Sequence, residues 1–315
     1  VQLRAIRQAA MPALTARAAI VEDFATGQVL YGKAIHSRLP PASTTKVMTA
    51  LLTLEQGQLQ ADVPISPLAA SLPCTCMGID AGHHYTVREL LYGLLLPSGN
   101  DAAVALAQFD GPSLPGFVDR MNARAKELGL ADTHFVNPHG LDDPAHLSSA
   151  ADLARLARSA LQSQPLLNQY VATASYTLPA TPTHPRLELK NLNQLLGSYP
   201  GADGVKTGTT EAAGQVLIGS ATRNGHRLLM VVMGSADRYA EGRRLLDLGF
   251  ASIVWFRPDL FFPGAMPVKI PDAAEPIVPA WEVSQVTAYL DPDGMTGTFT
   301  LGSHELLKVP LQGVA

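Results

Sequence analysis

The feature that most constrains this chain is a pair of long apolar runs, Gln215–Thr222 and His226–Gly234, flanking Arg223-Asn224-Gly225. An Asn-Gly step between such runs is the strongest short-range hairpin signal, because both residues tolerate the positive φ of the tight turn. A second hairpin opens the chain: Ala16–Val21 and Gln28–Lys33 alternate apolar positions on either side of Ala25-Thr26-Gly27. Between the two lie helical patterns. Thr44–Gln56 carries Val47, Ala50, Leu51 and Leu54 at helical spacing, and Val87–Leu96, Asp101–Gln108, Gly116–Leu128 and Ala150–Leu161 follow. Extended structure resumes at Gly204–Thr210, and Arg238–Ile253 reads as a closing helix. Strands at both ends of a helical block predict an α+β domain whose antiparallel sheet is completed by its C-terminal strands.

That domain is expected over 1–256. From Arg257 the composition shifts to Pro-spaced alternating runs, Met266–Ile270, Val283–Leu290, Gly297–Leu301 and Leu306–Val309, with a turn at Asp291-Pro-Asp-Gly294. This predicts a small all-β domain over 257–315. A length of 315 residues suits two domains. Hydrophobic residues make up 47% of the chain, which excludes a disordered chain. The net charge of −4 argues against a nucleic-acid partner. Apolar stretches such as Leu90–Leu96 and Leu228–Gly234 fall far short of the ~18 residues of a membrane span. Cys74 and Cys76 are spaced too closely for a metal site and awkwardly for a disulfide, so they read as small loop or packing residues.

Three motifs carry chemistry. In Pro40-Pro41-Ala42-Ser43-Thr44-Thr45-Lys46 the i, i+3 spacing puts the Ser43 hydroxyl and the Lys46 amine on one helix face, a nucleophile beside a base. Lys46 serves as a base only if desolvation or a neighbouring cation lowers its pKa, and Lys206 is the candidate cation. A capped helix start with an exposed lysine would read the same way in isolation. Leu96-Pro97-Ser98-Gly99-Asn100-Asp101 is a turn between two helices; it reads either as a cap, or as Ser98 shuttling a proton and the Asn100 amide donating to substrate or to Lys46. In Asp203-Gly204-Val205-Lys206-Thr207-Gly208-Thr209-Thr210, Lys206 and Thr207 suit a carboxylate, and Gly208 marks a close approach to the strand. Each motif alone is weak, but together and in this order they are specific.

With these motifs the sequence resembles the low-molecular-mass penicillin-binding proteins that are serine-type D-alanyl-D-alanine carboxypeptidases. The resemblance runs from Ala18 to Ile253 and takes in Arg38–Lys46, Gly93–Ala102, Asn137-Pro-His-Gly-Leu141 and Asp203–Gly208. It implies a penicillin-binding-protein or serine β-lactamase-like transpeptidase fold, with the β-rich tail as a second domain. By the same resemblance Ser43 attacks the carbonyl between two D-alanines, Lys46 takes its proton, and Ser98 with Asn100 returns a proton to the leaving amine. Lys206, Thr207, Gly208 and Thr209 form the substrate-binding strand, with the terminal carboxylate on Lys206, Thr207 and Thr209. The backbone N–H groups of Ser43 and Thr209 make the oxyanion hole. The implied partners are peptidoglycan stem peptides ending in D-Ala-D-Ala and β-lactams that acylate Ser43. No metal or cofactor is implied. Where that family often has His after Lys-Thr-Gly, this chain has Thr209.

Other readings fit less well. A class A β-lactamase needs a Glu-x-x-x-Asn pattern between Asn100 and Lys206, and Glu188 with Asn191 has the wrong spacing. No His-Glu-x-x-His or Gly-x-Ser-x-Gly is present, against a metallopeptidase or a lipase-like hydrolase. His83, His84 and His139 read as loop-packing residues; Arg238, after the Gly234–Ala236 strand end, reads first as a helix-start cap and second as a group that helps bind a carboxylate. A D,D-endopeptidase acting on cross-links and a slowly turning-over sensor use the same motifs. The expected location is extracytoplasmic, with a membrane tether in a segment beyond Ala315.

Overall fold

The structure is a computed structural model that describes residues 3–6, 13–73, 75–111, 113–223, 225–256, 266–267, 277–279, 286–290, 296–301 and 304–312. The backbone divides into a larger unit, Ala13–Leu246, and a smaller one that takes in both chain ends.

Leu3–Ile6 (β1) belongs to the smaller unit. The larger unit opens with the predicted hairpin, β2 (Ala18–Asp23) and β3 (Val29–Lys33). A one-turn 3-10 helix, Ala42–Thr45, runs into α1 (Lys46–Gln56). Next come β4 (Asp62–Pro64), α2 (Pro67–Ala70), β5 (His84–Thr86), α3 (Val87–Leu95), α4 (Asn100–Asp110), α5 (Leu114–Glu127), α6 (Ala150–Ser163) and α7 (Pro165–Ala172). A hairpin of β6 (Ser175–Leu178) and β7 (Leu187–Lys190) precedes β8 (Ala202–Thr210), β9 (Gly214–Arg223), β10 (His226–Ser235) and α8 (Arg238–Ser252).

The two predicted hairpins merge into one antiparallel sheet of order β3-β2-β10-β9-β8. Ile20 of β2 lies opposite Val231 of β10, so residues far apart in sequence share a row. This order leaves β8, which carries Lys206–Thr209, at an edge. The helix α1 is buried from Lys46 to Leu54 and packs against α3, α4 and α6. A helix enclosed on all sides belongs at the centre of a core. Its Val47 and Leu51 share one apolar cluster with Leu90, Leu94, Ala103 and Leu153 of the helices and with Ile20, Ile218 and Val231 of the sheet. Polar starts fix the helices around it. A capping box joins Thr86 and Glu89 at α3, and the Ser149 hydroxyl accepts from the Asp152 N–H at α6.

Sequence periodicity missed α7, the β4–β5 pair and the β6–β7 hairpin. These elements span 3 to 8 residues, too short for their side-chain period to stand out.

In the smaller unit β1 pairs antiparallel with β11 (Ile253–Phe256) and parallel with β13 (Ile277–Pro279). A four-stranded sheet holds β12 (Met266–Pro267), β16 (His304–Gln312), β15 (Thr296–Leu301) and β14 (Val286–Leu290) in that order. The turn expected at Asp291–Gly294 lies outside the described residues. No helix among the described residues is long and apolar enough to cross a membrane.

Candidate active site

Ser43 sits in the 3-10 turn rather than in α1, and this sharpens the predicted geometry. A 3-10 turn eclipses residues i and i+3, and the Lys46 Nζ lies 2.8 Å from the Ser43 Oγ. Lys46 is fully buried, whereas Ser43 keeps some exposure toward the cleft. The residue before the nucleophile, Ala42, has φ 49°, a left-handed conformation that a side chain makes costly. Two glycines make room for this turn. A Cβ on Gly140 would lie 1.9 Å from the Ala42 carbonyl oxygen, and one on Gly208 would lie 2.9 Å from the Ser43 nitrogen. Gly208 therefore lets the β8 edge close on Ser43, the close approach its place in the strand predicts.

The Lys46 Nζ also donates to the Asn100 Oδ1 at 2.7 Å and to the His139 carbonyl at 2.7 Å. Burial pushes the Lys46 pKa well below the ordinary lysine value, the Lys206 charge pushes it further, and Asp101 opposes them. Asn100 presents its amide oxygen to Lys46, and its Nδ2 donates to the Pro73 carbonyl at 2.9 Å. The expected donation from the Asn100 amide to Lys46 is thus reversed: an amine that turns its lone pair to the Ser43 hydroxyl and one N–H to the His139 carbonyl needs the oxygen end of Asn100 for the other.

Ser98 lies two residues before Asn100 and adopts φ 67°. Its hydroxyl is buried and has no hydrogen-bond partner among the described residues. Such strain beside an unpaired buried hydroxyl is costly to a fold and gathers at functional sites.

On the facing strand Lys206 is buried and donates to the Thr207 carbonyl at 2.9 Å. No carboxylate pairs with it among the described residues. Burial, aided by the Arg238 charge, pushes its pKa down to about 7. Thr207 is buried and Thr209 exposed, and the Thr209 Oγ1 donates to the Gly208 carbonyl at 2.8 Å. A buried lysine without an acid, flanked by hydroxyls, is a seat for an external anion.

The nucleophile, its amine and this anion seat therefore meet where the β8 edge closes on the Ser43 turn. The D-alanyl-D-alanine carboxypeptidase family model matches residues 5–237. This chain belongs to that family.

Among curated relatives, the chain is 39% identical over 244 residues to the D-alanyl-D-alanine carboxypeptidase DacF of Bacillus subtilis, covering 75% of this chain and 62% of that protein. It is 39% identical over 240 residues to DacB2 of Mycobacterium tuberculosis, covering 74% of this chain and 81% of that one. The chain thus spans less than two thirds of the Bacillus relative. The crystal structure of the Streptomyces K15 DD-transpeptidase matches with TM-score 0.74 and 35% identity, over 77% of this chain and 100% of that one. The α+β, penicillin-binding-protein-like fold expected from the sequence is therefore the fold observed.

Two groups at the site take a role other than the one their sequence context favours. Arg238, read as a helix-start cap, donates from Nη1 to the Gly208 carbonyl and to the Thr209 Oγ1, each at 2.7 Å. Its Nε is buried without a partner among the described residues. The signal that could have found it was a second cation near the lysine of the Lys-Thr-Gly strand. His139 contributes through its backbone carbonyl, which carries no residue-type signal. Its ring does pack in the loop, and burial together with Lys46 pushes its pKa down to about 3.

The cysteine reading is corrected. Cys76 is disulfide-bonded, against the expectation of two unlinked loop residues; Cys74 itself lies outside the described residues. The backbone around Cys76 is wrapped on α4, with the Thr75 carbonyl accepting from the Asn100 N–H at 2.8 Å and the Met77 N–H donating to Asp101 at 2.9 Å.

Proposed function

We propose that this chain is a serine-type D-alanyl-D-alanine carboxypeptidase that removes the terminal D-alanine from peptidoglycan stem pentapeptides. The carrying observation is the buried Lys46 amine, its pKa lowered, 2.8 Å from the Ser43 hydroxyl. Neutral Lys46 accepts the hydroxyl proton as Ser43 Oγ bonds to the carbonyl carbon between the two D-alanines. The backbone N–H groups of Ser43 and Thr209 receive the developing oxyanion. The C–N bond then breaks, and the proton reaches the leaving amine through the Ser98 hydroxyl. D-alanine departs and an ester remains on Ser43. Water adds to that ester, giving the shortened stem a new carboxylate and Ser43 its hydroxyl back.

Lys206, Thr207 and Thr209 hold the terminal carboxylate, with Arg238 beside them, and Asn100 keeps Lys46 aimed at Ser43. β-Lactams enter by the same route, and their ring-opened acyl group stays on Ser43. In this reading the larger unit, Ala13–Leu246, is the catalytic domain expected within 1–256, and 257–315 belongs to a β-rich accessory domain. The enzyme works outside the cytoplasmic membrane, tethered to it.

The test is D-alanine release from a peptide ending in D-Ala-D-Ala, run beside an L-Ala-L-Ala control and Ser43→Ala. Release from the D-form alone, lost in Ser43→Ala, is the expected result. Labelling of Ser43 by a fluorescent penicillin without release would point to a sensor or an endopeptidase. Neither release nor labelling would end the active-serine reading.

A further inference from the structure

The two walls of the cleft are joined by hydrogen bonds outside the three motifs. The Leu192 N–H donates to the carbonyl of Leu96, two residues before Ser98, at 3.1 Å. The Leu192 carbonyl accepts from the Tyr239 hydroxyl at 2.6 Å. Tyr239 follows Arg238, whose Nη1 reaches Gly208 and Thr209, and the Arg238 guanidinium lies 5.2 Å from the Tyr239 ring centre. The belt thus runs from the Ser98 turn through Leu192 and Tyr239 to the carboxylate-binding end of β8.

Its anchors are firm. The neighbouring Asn191 Nδ2 donates to the Thr173 carbonyl at 3.0 Å, and the Asn193 Nδ2 donates to the Gly204 carbonyl at 2.9 Å. At the same time the Leu192 side chain is 44% exposed, so an apolar group stands on the rim. At the carboxylate-binding end the strap is held by the phenolic bond of Tyr239, apart from the Asn193 anchor at the far end of β8.

We propose that Tyr239, by clasping the Leu192 carbonyl, is a positioning residue that closes the leaving-group end of the cleft. The site therefore accepts one residue with a free carboxylate after the scissile bond and rejects a longer or cross-linked leaving group. This rests on the carboxypeptidase reading above. The physical argument is steric and electrostatic together. Lys206 and Arg238 reward a carboxylate that ends beside them, and in this proposal the clasped Leu192 and Tyr239, tied to Arg238 and the Gly208–Thr209 end of β8, stand where a continuing chain would have to pass.

The experiment measures kcat/KM for a peptide ending in D-Ala-D-Ala and for the same peptide extended by glycine on its terminal carboxylate. The wild-type protein is expected to favour the free-ended peptide strongly. Tyr239→Phe keeps the ring over Arg238 but loses the clasp, and is expected to narrow that preference about tenfold by faster cleavage of the extended peptide. Leu192→Ala, which trims the rim and keeps the backbone bond, is expected to narrow it by a smaller factor. General destabilisation would lower both rates and leave their ratio alone. An unchanged ratio in Tyr239→Phe, or equal wild-type cleavage of both peptides, overturns the proposal while D-alanine release still upholds the carboxypeptidase. No release from either peptide, with Ser43 still labelled by a fluorescent penicillin, overturns that reading and the proposal with it.

Discussion

Two regions of the larger unit bury charge, and they do it in opposite ways. On β2, Glu22 is buried and accepts from the Arg158 Nε of α6 at 3.0 Å. At the site, the Lys46 and Lys206 amines are buried with no carboxylate bonded to either among the described residues. The first is a matched pair that ties helix to sheet. The second holds Lys46 toward its neutral form beside Ser43 and leaves Lys206 short of a partner that a substrate carboxylate would supply. Burial without a mate costs stability, so a fold keeps it where it serves chemistry.

The comparison can be broken most directly at Lys46. Lys46→Ala removes the proton acceptor, and kcat for D-alanine release is expected to fall about 10³-fold, measured in steady state. The protein should remain folded by circular dichroism, because the variant removes a buried amine that desolvation disfavours. Lys206→Met comes next. It is expected to lower kcat/KM about 100-fold, mainly through KM, as the carboxylate loses its cation. In thermal melts at pH 6 the same variant should be more stable than the wild type. The sign follows from the direction of the shift. A lysine whose folded pKa is lowered from 10.5 to about 7 sets stability back fully below about 7, and the loss is recovered as pH rises toward 10.5.

The pH profile tests both lysines in one protein. Lys46 must be neutral and Lys206 charged, so kcat/KM should rise with pH through the lowered Lys46 pKa and fall above about 7 as Lys206 loses its proton. The falling limb should approach tenfold per pH unit, and Lys206→Met should abolish it. A bound carboxylate favours charged Lys206, so the same limb in kcat should lie at higher pH.

The smallest effect on activity is expected at the matched pair. Arg158→Met should leave kcat/KM within about twofold, yet destabilise the fold by roughly 3 kcal/mol at pH 8, since Glu22 is left buried and unpaired. Burial holds the Glu22 pKa up at about 7 against an ordinary 4.5, so the Glu22 contribution to stability is fullest below 4.5 and lost as pH rises through about 7. Urea titrations of Arg158→Met at pH 5 should therefore show a smaller loss than at pH 8.

Much of the site was legible because its residues are near neighbours. Ser43 and Lys46 are one turn apart, and Lys206, Thr207, Gly208 and Thr209 are consecutive on one strand. Arg238 stays ambiguous in sequence because a helix start explains an arginine as well as a carboxylate does, and α8 does begin there. Its role shows only where Gln215 and Val216 of β9 bring the start of α8 over β8. The Asn100 amide was placed beside Lys46, but which end faces the amine depends on the Pro73 carbonyl, held in position by the loop around Cys76.

The sequence by itself determined the two hairpins, the central helix and the residue types of the reaction, since side-chain period, turn residues and short spacings are local properties. Tertiary structure alone decided that β2 joins β10, that β8 becomes an edge, and that Gly208 comes up against Ser43. It also set the His139 carbonyl on Lys46 and the Tyr239 hydroxyl on Leu192. These contacts join residues far apart in the chain, several of them through backbone atoms that every residue carries. Only the packing of helices on the sheet selects which of those atoms meet.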